Sequence, residues 1–90
     1  MRKFIINVFR GEEINKKGAL VCYGVKELQD TIKKLYELNE DINFNVIYRS
    51  QVIPTIDSKS KFKGYEQERE YIEAYCNTTD SIMNMEGYEE

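Results

Sequence analysis

The sequence predicts an α/β fold of the α+β type, a single small two-layer domain in which two helices cover a three- to four-stranded, mainly antiparallel sheet, in the order β-β-α-β-(β)-α. Three observations predict this fold class. The 90 residues provide for one hydrophobic core and no more. Apolar residues alternate in several short runs, as in half-buried strands. They recur at spacings of three and four in two longer segments, as in amphipathic helices.

The first two strands are predicted from apolar runs separated by turn residues. Phe4 to Arg10 alternates with apolar residues on both sides, which favours a central strand. Gly11 ends this run, and Ala19 to Tyr23 is a second apolar run of strand length. We therefore expect a hairpin with a long loop.

The first helix is predicted from five apolar residues that fall within one stripe of a helical wheel. They are Val25, Leu28, Ile32, Leu35 and Tyr36. Gly24 precedes them at the N-cap position, and Glu27 lies near the positive end of the helix dipole. This pattern predicts a helix that starts directly after the second strand.

The segment from Ile42 to Arg49 predicts a third strand, because its residues alternate between inward and outward positions. Its inward residues are Ile42, Phe44, Val46 and Tyr48. Ser50 and Gln51 would turn the chain into a fourth strand from Val52 to Ile56. Pro54 lacks the N–H that a central strand needs, so this fourth strand would lie at an edge of the sheet.

The second helix is predicted from Tyr65 to Asn77, after a polar, Lys-rich loop at 57–64. Glu68 interrupts its apolar stripe. We therefore expect this carboxylate to pair with a cation or to reach solvent at the edge of the stripe, unless the helix begins later. Thr79 is expected to cap a separate short turn. Residues 86–90 are expected to form a frayed acidic tail.

Charge is divided by position along the chain. Residues 1–63 contain twelve Lys and Arg against eight Asp and Glu, whereas residues 64–90 contain one basic residue, Arg69, against eight acidic ones. The net charge of the whole chain is −3. This division indicates either an acidic surface for a basic partner or an acidic helix that lies on the protein's own basic sheet.

The composition argues against catalysis and cofactor binding. The chain has no His, which is the commonest general base and metal ligand. Cys22 and Cys76 are too far apart in sequence to be a close-spaced pair of metal ligands, and the five glycines are scattered singly. We expect a protein without enzymatic activity, cofactor or metal, in which both cysteines are reduced and buried.

The sequence also predicts a cytoplasmic protein with no membrane partner. No segment approaches the roughly 20 consecutive apolar residues of a membrane helix. The apolar run near the start is too short for the apolar region of a secretory signal.

The strongest candidate for a binding surface lies in the second helix. Glu66, Glu70 and Glu73 would form an acidic stripe on a rigid helix, flanked by Tyr65 and Tyr71. Carboxylates in a row can imitate phosphates, and tyrosines supply large contact areas at low entropic cost. These residues predict binding to a larger, basic, nucleic-acid-binding protein. The same glutamates could instead be the solvated face of a short helix whose tyrosines pack on the sheet.

In general character the chain resembles the small acidic accessory proteins of phages and mobile elements, among them anti-CRISPR and antirestriction proteins. The resemblance rests on its size, its composition rich in Ile, Asn and Lys, and the Glu66-x-Glu68-x-Glu70-x-x-Glu73 run with its tyrosines. It covers about a third of the chain. It implies a non-enzymatic inhibitor of a nucleic-acid-handling host defence protein.

Two alternatives remain open. A basic loop with one aromatic residue could hold a phosphate backbone and stack a base. The residues concerned are Lys59, Lys61, Phe62, Lys63 and Arg49. The sequence pI of about 5.1 opposes direct nucleic-acid binding, which usually accompanies strongly basic domains. The other alternative is a small regulatory domain that forms a homodimer and binds a small ligand.

Overall fold

The computed structural model describes residues 1–10, 18–38, 42–57, 62 and 64–85. In this part of the chain there are four strands and two helices. The strands are β1 (Lys3–Arg10), β2 (Ala19–Tyr23), β3 (Ile42–Tyr48) and β4 (Gln51–Asp57). The helices are α1 (Val25–Tyr36) and α2 (Tyr65–Met85). The order β-β-α-β-β-α confirms the predicted fold class, including the fourth strand.

The four strands form one antiparallel sheet in the order β2-β1-β3-β4. β1 lies between β2 and β3, as the apolar residues on both of its sides predict. Both helices pack on the same face of the sheet, where side chains from all six elements form one core. The core residues are Phe4, Ile6, Cys22, Leu28, Ile32, Phe44, Val46, Tyr48, Ile53, Ile56, Ile72 and Cys76. We call the opposite face, which carries neither helix, the open face.

Four apolar side chains form a row across the open face, one from each strand. The strand register pairs Val21 with Ile5, Ile5 with Ile47, and Ile47 with Val52. The members at the two ends are the most exposed, Val21 at 47% and Val52 at 54%. The row therefore presents apolar surface to solvent at both edges of the sheet.

The start of α1 depends on one glycine, and the predicted N-cap at Gly24 is confirmed. Its φ of 88° lies in the left-handed region that glycine adopts without strain. The Gly24 N–H donates to the carbonyl oxygen of Arg2 at 2.7 Å. The Glu27 carboxylate accepts the N–H of Tyr23 at 3.1 Å. The chain thus passes from β2 into α1 within a single residue.

β3 and β4 are joined by a two-residue turn at Arg49 and Ser50. Both residues have positive φ, 51° and 67°, as in the type I′ turns that match the twist of a hairpin. The predicted turn at Ser50 and Gln51 is wrong by one residue, because Gln51 already pairs with Tyr48 in the sheet. Neither turn residue is the Gly or Asn that usually marks such a turn in a sequence.

β4 is an edge strand, as Pro54 predicts. The carbonyl oxygens of Pro54 and Val52 accept hydrogen bonds from the hydroxyls of two α2 tyrosines, Tyr71 at 2.7 Å and Tyr75 at 3.3 Å. Pro54 also has no N–H to offer to another strand. The outer edge of β4 is therefore closed by α2.

α2 is one continuous helix of 21 residues, so the predicted end at Asn77 and the separate turn capped by Thr79 are wrong. Thr79 lies inside the helix and is 8% exposed. Asn and Thr favour caps because their side chains compete for backbone groups. Here Asn77 instead accepts a hydrogen bond from Arg2 at 2.5 Å, and tertiary contacts outweigh weak helix propensity.

Glu68 faces α1 within the apolar stripe and is 9% exposed. Its Oε1 accepts a hydrogen bond from Nε2 of Gln29 at 2.8 Å, and the same nitrogen donates to the carbonyl oxygen of Tyr65 at 3.0 Å. The helix begins at Tyr65 as predicted, and among the described residues the hydrogen-bond partner of Glu68 is a neutral amide rather than a cation. The three expected explanations for Glu68 are therefore wrong, because a buried carboxylate can also be satisfied by an amide.

Several predictions lie partly or wholly outside the described residues. The structure does not describe the tail at 86–90 or most of the loop at 57–64. At the ends of that loop, Asp57 closes β4 and Gly64 directly precedes α2. Cys22 and Cys76 are both free and buried, as predicted.

Replacing Ser50 with Gly should raise the free energy of unfolding by about 0.5–1 kcal/mol, because glycine adopts positive φ without the strain that a side chain imposes. Ser50 is exposed, so the substitution removes little packing. Urea unfolding followed by circular dichroism measures the change. Gln51→Gly is the control and should lower the stability, since glycine weakens a strand. Equal effects of the two variants would contradict the assignment of the turn.

Candidate protein-binding face of α2

α2 has a buried side and an exposed side. Ile72 and Cys76 are fully buried in the core. Glu66, Glu70 and Glu73 lie on the exposed side, and we call these three residues the acidic face. They are spaced by four and three residues, so their carboxylates follow one side of the helix over about 10 Å. The structure therefore brings together the three glutamates that the sequence singled out.

The carboxylates of the acidic face differ in their surroundings. Glu66 forms an ion pair with Arg69 one turn further along α2, at 3.0 Å. Within the described part of the chain, Glu70 and Glu73 form no ion pair. Two of the three carboxylates thus remain available to a positively charged group on another molecule.

The predicted tyrosines have two different roles. Tyr65 is 45% exposed and adds surface at the start of the acidic face. Tyr71 is half-buried, and its hydroxyl donates to Pro54 of β4. Its ring also packs on Phe62, with ring centroids 5.3 Å apart. Tyr71 therefore attaches α2 to the sheet, as Tyr75 does, and offers a partner less surface than Tyr65.

The alternative basic site is separated into different places. Phe62 packs against Tyr71, whereas Arg49 forms an ion pair at 2.9 Å with Asp80. Tyr71 and Asp80 are nine residues apart in α2, which is about 13 Å along the helix axis. The other three members, Lys59, Lys61 and Lys63, lie outside the described residues. In the described part of the chain, Phe62 and Arg49 are thus not neighbours.

A cluster around Asp80 is the main feature that the sequence did not predict. Asp80 Oδ1 accepts hydrogen bonds from the Tyr48 hydroxyl at 2.8 Å and from Arg49 at 2.9 Å. Asp80 Oδ2 lies 3.4 Å from the guanidinium of Arg2. We call these four residues the Asp80 cluster. It joins the C-terminal half of α2 to the start of β1 and the end of β3.

Burial and hydrogen bonding oppose each other in the pKa of Asp80. Burial raises the pKa of this carboxyl, but hydrogen bonds from Tyr48, Arg49 and Arg2 stabilise the charged form and together lower the pKa below its usual value. Burial, followed by the hydrogen bond to Asp80, raises the pKa of Tyr48. The cluster therefore contains a carboxylate and a neutral phenol at neutral pH.

The Asp80 cluster borders a surface cleft of about 680 Å³. Lys3 and Ser50 also line it, and Ile5 and Ile47 add apolar surface from the open face. The cationic groups of Arg2 and Arg49 already face the Asp80 carboxylate. Much of the positive charge at this cleft is therefore neutralised within the chain.

A smaller cavity of about 300 Å³ lies between α1 and α2. Gln29, Phe62, Tyr65 and Glu68 are among the residues that line it. Gln29 is 2% exposed, and its Oε1 has no hydrogen-bond partner among the described residues.

The buried thiol of Cys76 is not activated as a nucleophile. Burial, the largest influence, raises its pKa to about 11, although the charge of Arg2 lowers it. Thiols react as thiolates, so a thiol with such a pKa is unreactive at neutral pH. Among the described residues, no group of three or more His, Cys, Asp or Glu could hold a metal ion.

Comparisons with known protein families, curated protein sequences and solved structures found no match to this chain. Neither helix of the described chain has the length and apolar character needed to cross a membrane.

Replacing Asp80 with Asn should lower the free energy of unfolding by about 2 kcal/mol at pH 7, because hydrogen bonds to a charged group are lost and two arginines lose their counter-ion. The folded-state pKa of Asp80 is lowered. The stabilisation is therefore fully present above the unfolded-state pKa, about 3.9, and is lost as pH falls through the folded-state pKa. The difference between wild type and variant should shrink over that acidic range.

Urea unfolding of both proteins at pH 7, and at several values from about pH 5 to pH 2, measures this difference. Asp30→Asn is the control. Asp30 forms an exposed pair with Lys26 at 3.0 Å within α1, so its loss should cost about 0.5 kcal/mol or less. A pH-independent difference between wild type and Asp80→Asn would show that the ionised carboxylate is not the stabilising group.

Proposed function

We propose that the protein is a non-enzymatic protein-binding module whose acidic face binds a larger, basic protein. The observation that carries this proposal is that Glu70 and Glu73 are exposed on an anchored helix and form no ion pair within the described residues. Such carboxylates keep their full attraction for cations on a partner. Exposed charges arranged in this way chiefly accelerate association and select the partner.

The anchoring of α2 strengthens the proposal. Tyr71 and Tyr75 attach its N-terminal half to β4, and Asp80 attaches its C-terminal half to β1 and β3. A helix attached to the sheet through both of its halves loses little conformational freedom on binding, so more of the interaction energy appears as affinity. The acidic face therefore resembles a preformed row of negative charge.

The row of carboxylates on the acidic face suggests that the protein competes with nucleic acid for its partner. A row of carboxylates on a rigid helix can occupy a groove that normally holds a phosphate backbone. Residues 64–90 contain eight acidic residues and one basic residue, which suits a groove rich in Lys and Arg. We propose, on this basis, that the partner is a nucleic-acid-handling protein and that binding inhibits it, as in the small phage proteins that the sequence resembles.

The double charge reversal Glu70→Lys with Glu73→Lys should reduce capture of the basic partner from a host lysate at least tenfold, because like charges then oppose each other. Its melting temperature should change by less than about 3 °C, since exposed charges contribute little stability. Quantitative mass spectrometry of captured proteins and calorimetry measure the two effects. Capture by the wild type should also weaken as salt rises.

The matched control reverses two other exposed acidic residues, Asp30 in α1 and Glu37 directly after it, as Asp30→Lys with Glu37→Lys. It changes the net charge by the same amount and should leave capture unchanged. If both double variants lose the partner equally, net charge rather than the acidic face is responsible. If neither loses it, or if the wild type captures a nucleic acid instead of a protein, the proposal is wrong.

A further inference from the structure

The two edges of the sheet are treated differently. At β4, Pro54 has no N–H, and tyrosine hydroxyls occupy the carbonyl oxygens of Val52 and Pro54. β2 is the other edge of the sheet. Three of its residues, Ala19, Val21 and Tyr23, direct their backbone groups away from β1, and in the described part of the chain only Tyr23 has a hydrogen-bond partner for these groups. Folded proteins usually protect an edge strand with Pro, charges or a covering element, because free backbone groups invite another strand.

The hydrogen bonds at the ends of β2 show which of its residues face outward. Gly18 accepts the N–H of Val8 at 3.4 Å, and Gly24 donates to Arg2 at 2.7 Å, so both face β1. Backbone groups alternate along a strand. Ala19, Val21 and Tyr23 therefore direct their N–H and C=O groups away from the sheet. The N–H of Tyr23 is taken by Glu27, in agreement with this assignment.

Apart from the buried Cys22, the side chains of β2 are exposed. Leu20, Val21 and Tyr23 are 42%, 47% and 51% exposed. The strand contains neither a charged residue nor proline. An apolar strand with free outward backbone groups is the surface on which strand addition occurs.

We propose that this edge binds a second copy of the chain, with β2 antiparallel to β2 of the partner about a two-fold axis at Val21, to form a continuous eight-stranded sheet. In this register Val21 of each copy exchanges two backbone hydrogen bonds with the other. The N–H of Ala19 donates to the carbonyl of the residue opposite it, Tyr23. The N–H of Tyr23 keeps its bond to Glu27. Four hydrogen bonds thus join the copies.

Charges on α1 favour a copy of the same chain as the occupant. Glu27 contacts Tyr23, and Thr31, one turn later, lies 3.5 Å from the sulfur of Cys22. α1 therefore runs antiparallel to β2, with Glu27, Thr31 and Lys34 on the side that faces the edge. A two-fold axis through Val21 makes the two α1 helices antiparallel, which places Glu27 of each copy towards Lys34 of the other.

The distances agree with this arrangement. Along the strand, Tyr23 and hence Glu27 lie about 7 Å from Val21. Lys34 is about 10 Å from Glu27 along the helix, so it lies about 3 Å beyond the axis on the other side. The two-fold axis brings Lys34 of the second copy to about 3 Å on the same side of the axis as Glu27 of the first copy. These two residues are therefore offset by about 4 Å along the helices, a distance that two long side chains can span.

The size of the contact sets its strength. Each copy contributes a strand of five residues and one helix to the contact. We expect the two copies together to bury on the order of 800 Å² of accessible surface, below the 1,200–2,000 Å² of stable complexes. The dimer is therefore weak and reversible. Sedimentation velocity from about 10 µM to about 1 mM should show conversion from monomer to dimer.

Substitutions at Val21 test the position of the axis. In Val21→Lys or Val21→Glu, two like charges lie directly opposite each other at the axis, so each variant should dimerise at least tenfold more weakly than the wild type. An equimolar mixture of the two variants should regain dimerisation, because Lys then faces Glu. Val52→Lys is the matched control at the other end of the apolar row and should dimerise as the wild type does.

Hydrogen exchange of the wild type gives an independent readout. The amides of Ala19 and Val21 should exchange more slowly as the concentration rises. A monomer at every concentration would overturn the proposal and leave the edge for a strand of another protein. Loss of the dimer in Val52→Lys would overturn it in favour of contact between open faces. Unchanged dimerisation of Val21→Lys, or failure of the mixture to dimerise, would also overturn it.

Discussion

The carboxylate of Asp80 is the interaction on which the arrangement of this protein depends. It accepts hydrogen bonds from the chain that precedes β1, from the end of β3 and from the turn after it. Because Arg2 directly precedes β1 and Tyr48 ends β3, this one side chain attaches the C-terminal half of α2 to both central strands. It also offsets the strain of the left-handed residue Arg49. The outward orientation of the acidic face, in the N-terminal half of α2, follows from the burial of Ile72 and Cys76 on the opposite side of the helix.

The fold was largely predictable because its elements follow local periodicities. Alternation identified the strands, and Pro54 identified the edge strand. The prediction failed where local preference and tertiary contact disagree. Asn77 and Thr79 have side chains that favour a helix end, yet both lie within α2 because Arg2 and the core hold them there. The hairpin turn was misplaced by one residue, since Arg49 carries no local signal for positive φ.

The candidate surface was predictable in part. The spacing of Glu66, Glu70 and Glu73 is enough to place them on one side of a helix. No local pattern distinguishes Tyr71, which attaches α2 to β4, from the more exposed Tyr65. The Asp80 cluster joins residues up to 78 positions apart in sequence, and such pairs leave no periodic trace. The amide of Gln29 that donates to Glu68 belongs to the other helix, so this hydrogen bond could not be predicted from local sequence patterns either.

The hydrogen bonds from two α2 tyrosines to β4 have a consequence for the size of any assembly. A sheet that can be extended at both sides can recruit further copies without limit, and this is how fibres grow. Here Tyr71 and Tyr75 occupy the carbonyl groups at one side, and Pro54 removes a donor there. In the dimer proposed above, the free β2 edge of each molecule is covered by the other, so association through the sheet would stop at two copies. The hydroxyl groups of Tyr71 and Tyr75 and the ring of Pro54 thereby oppose the addition of further copies at β4.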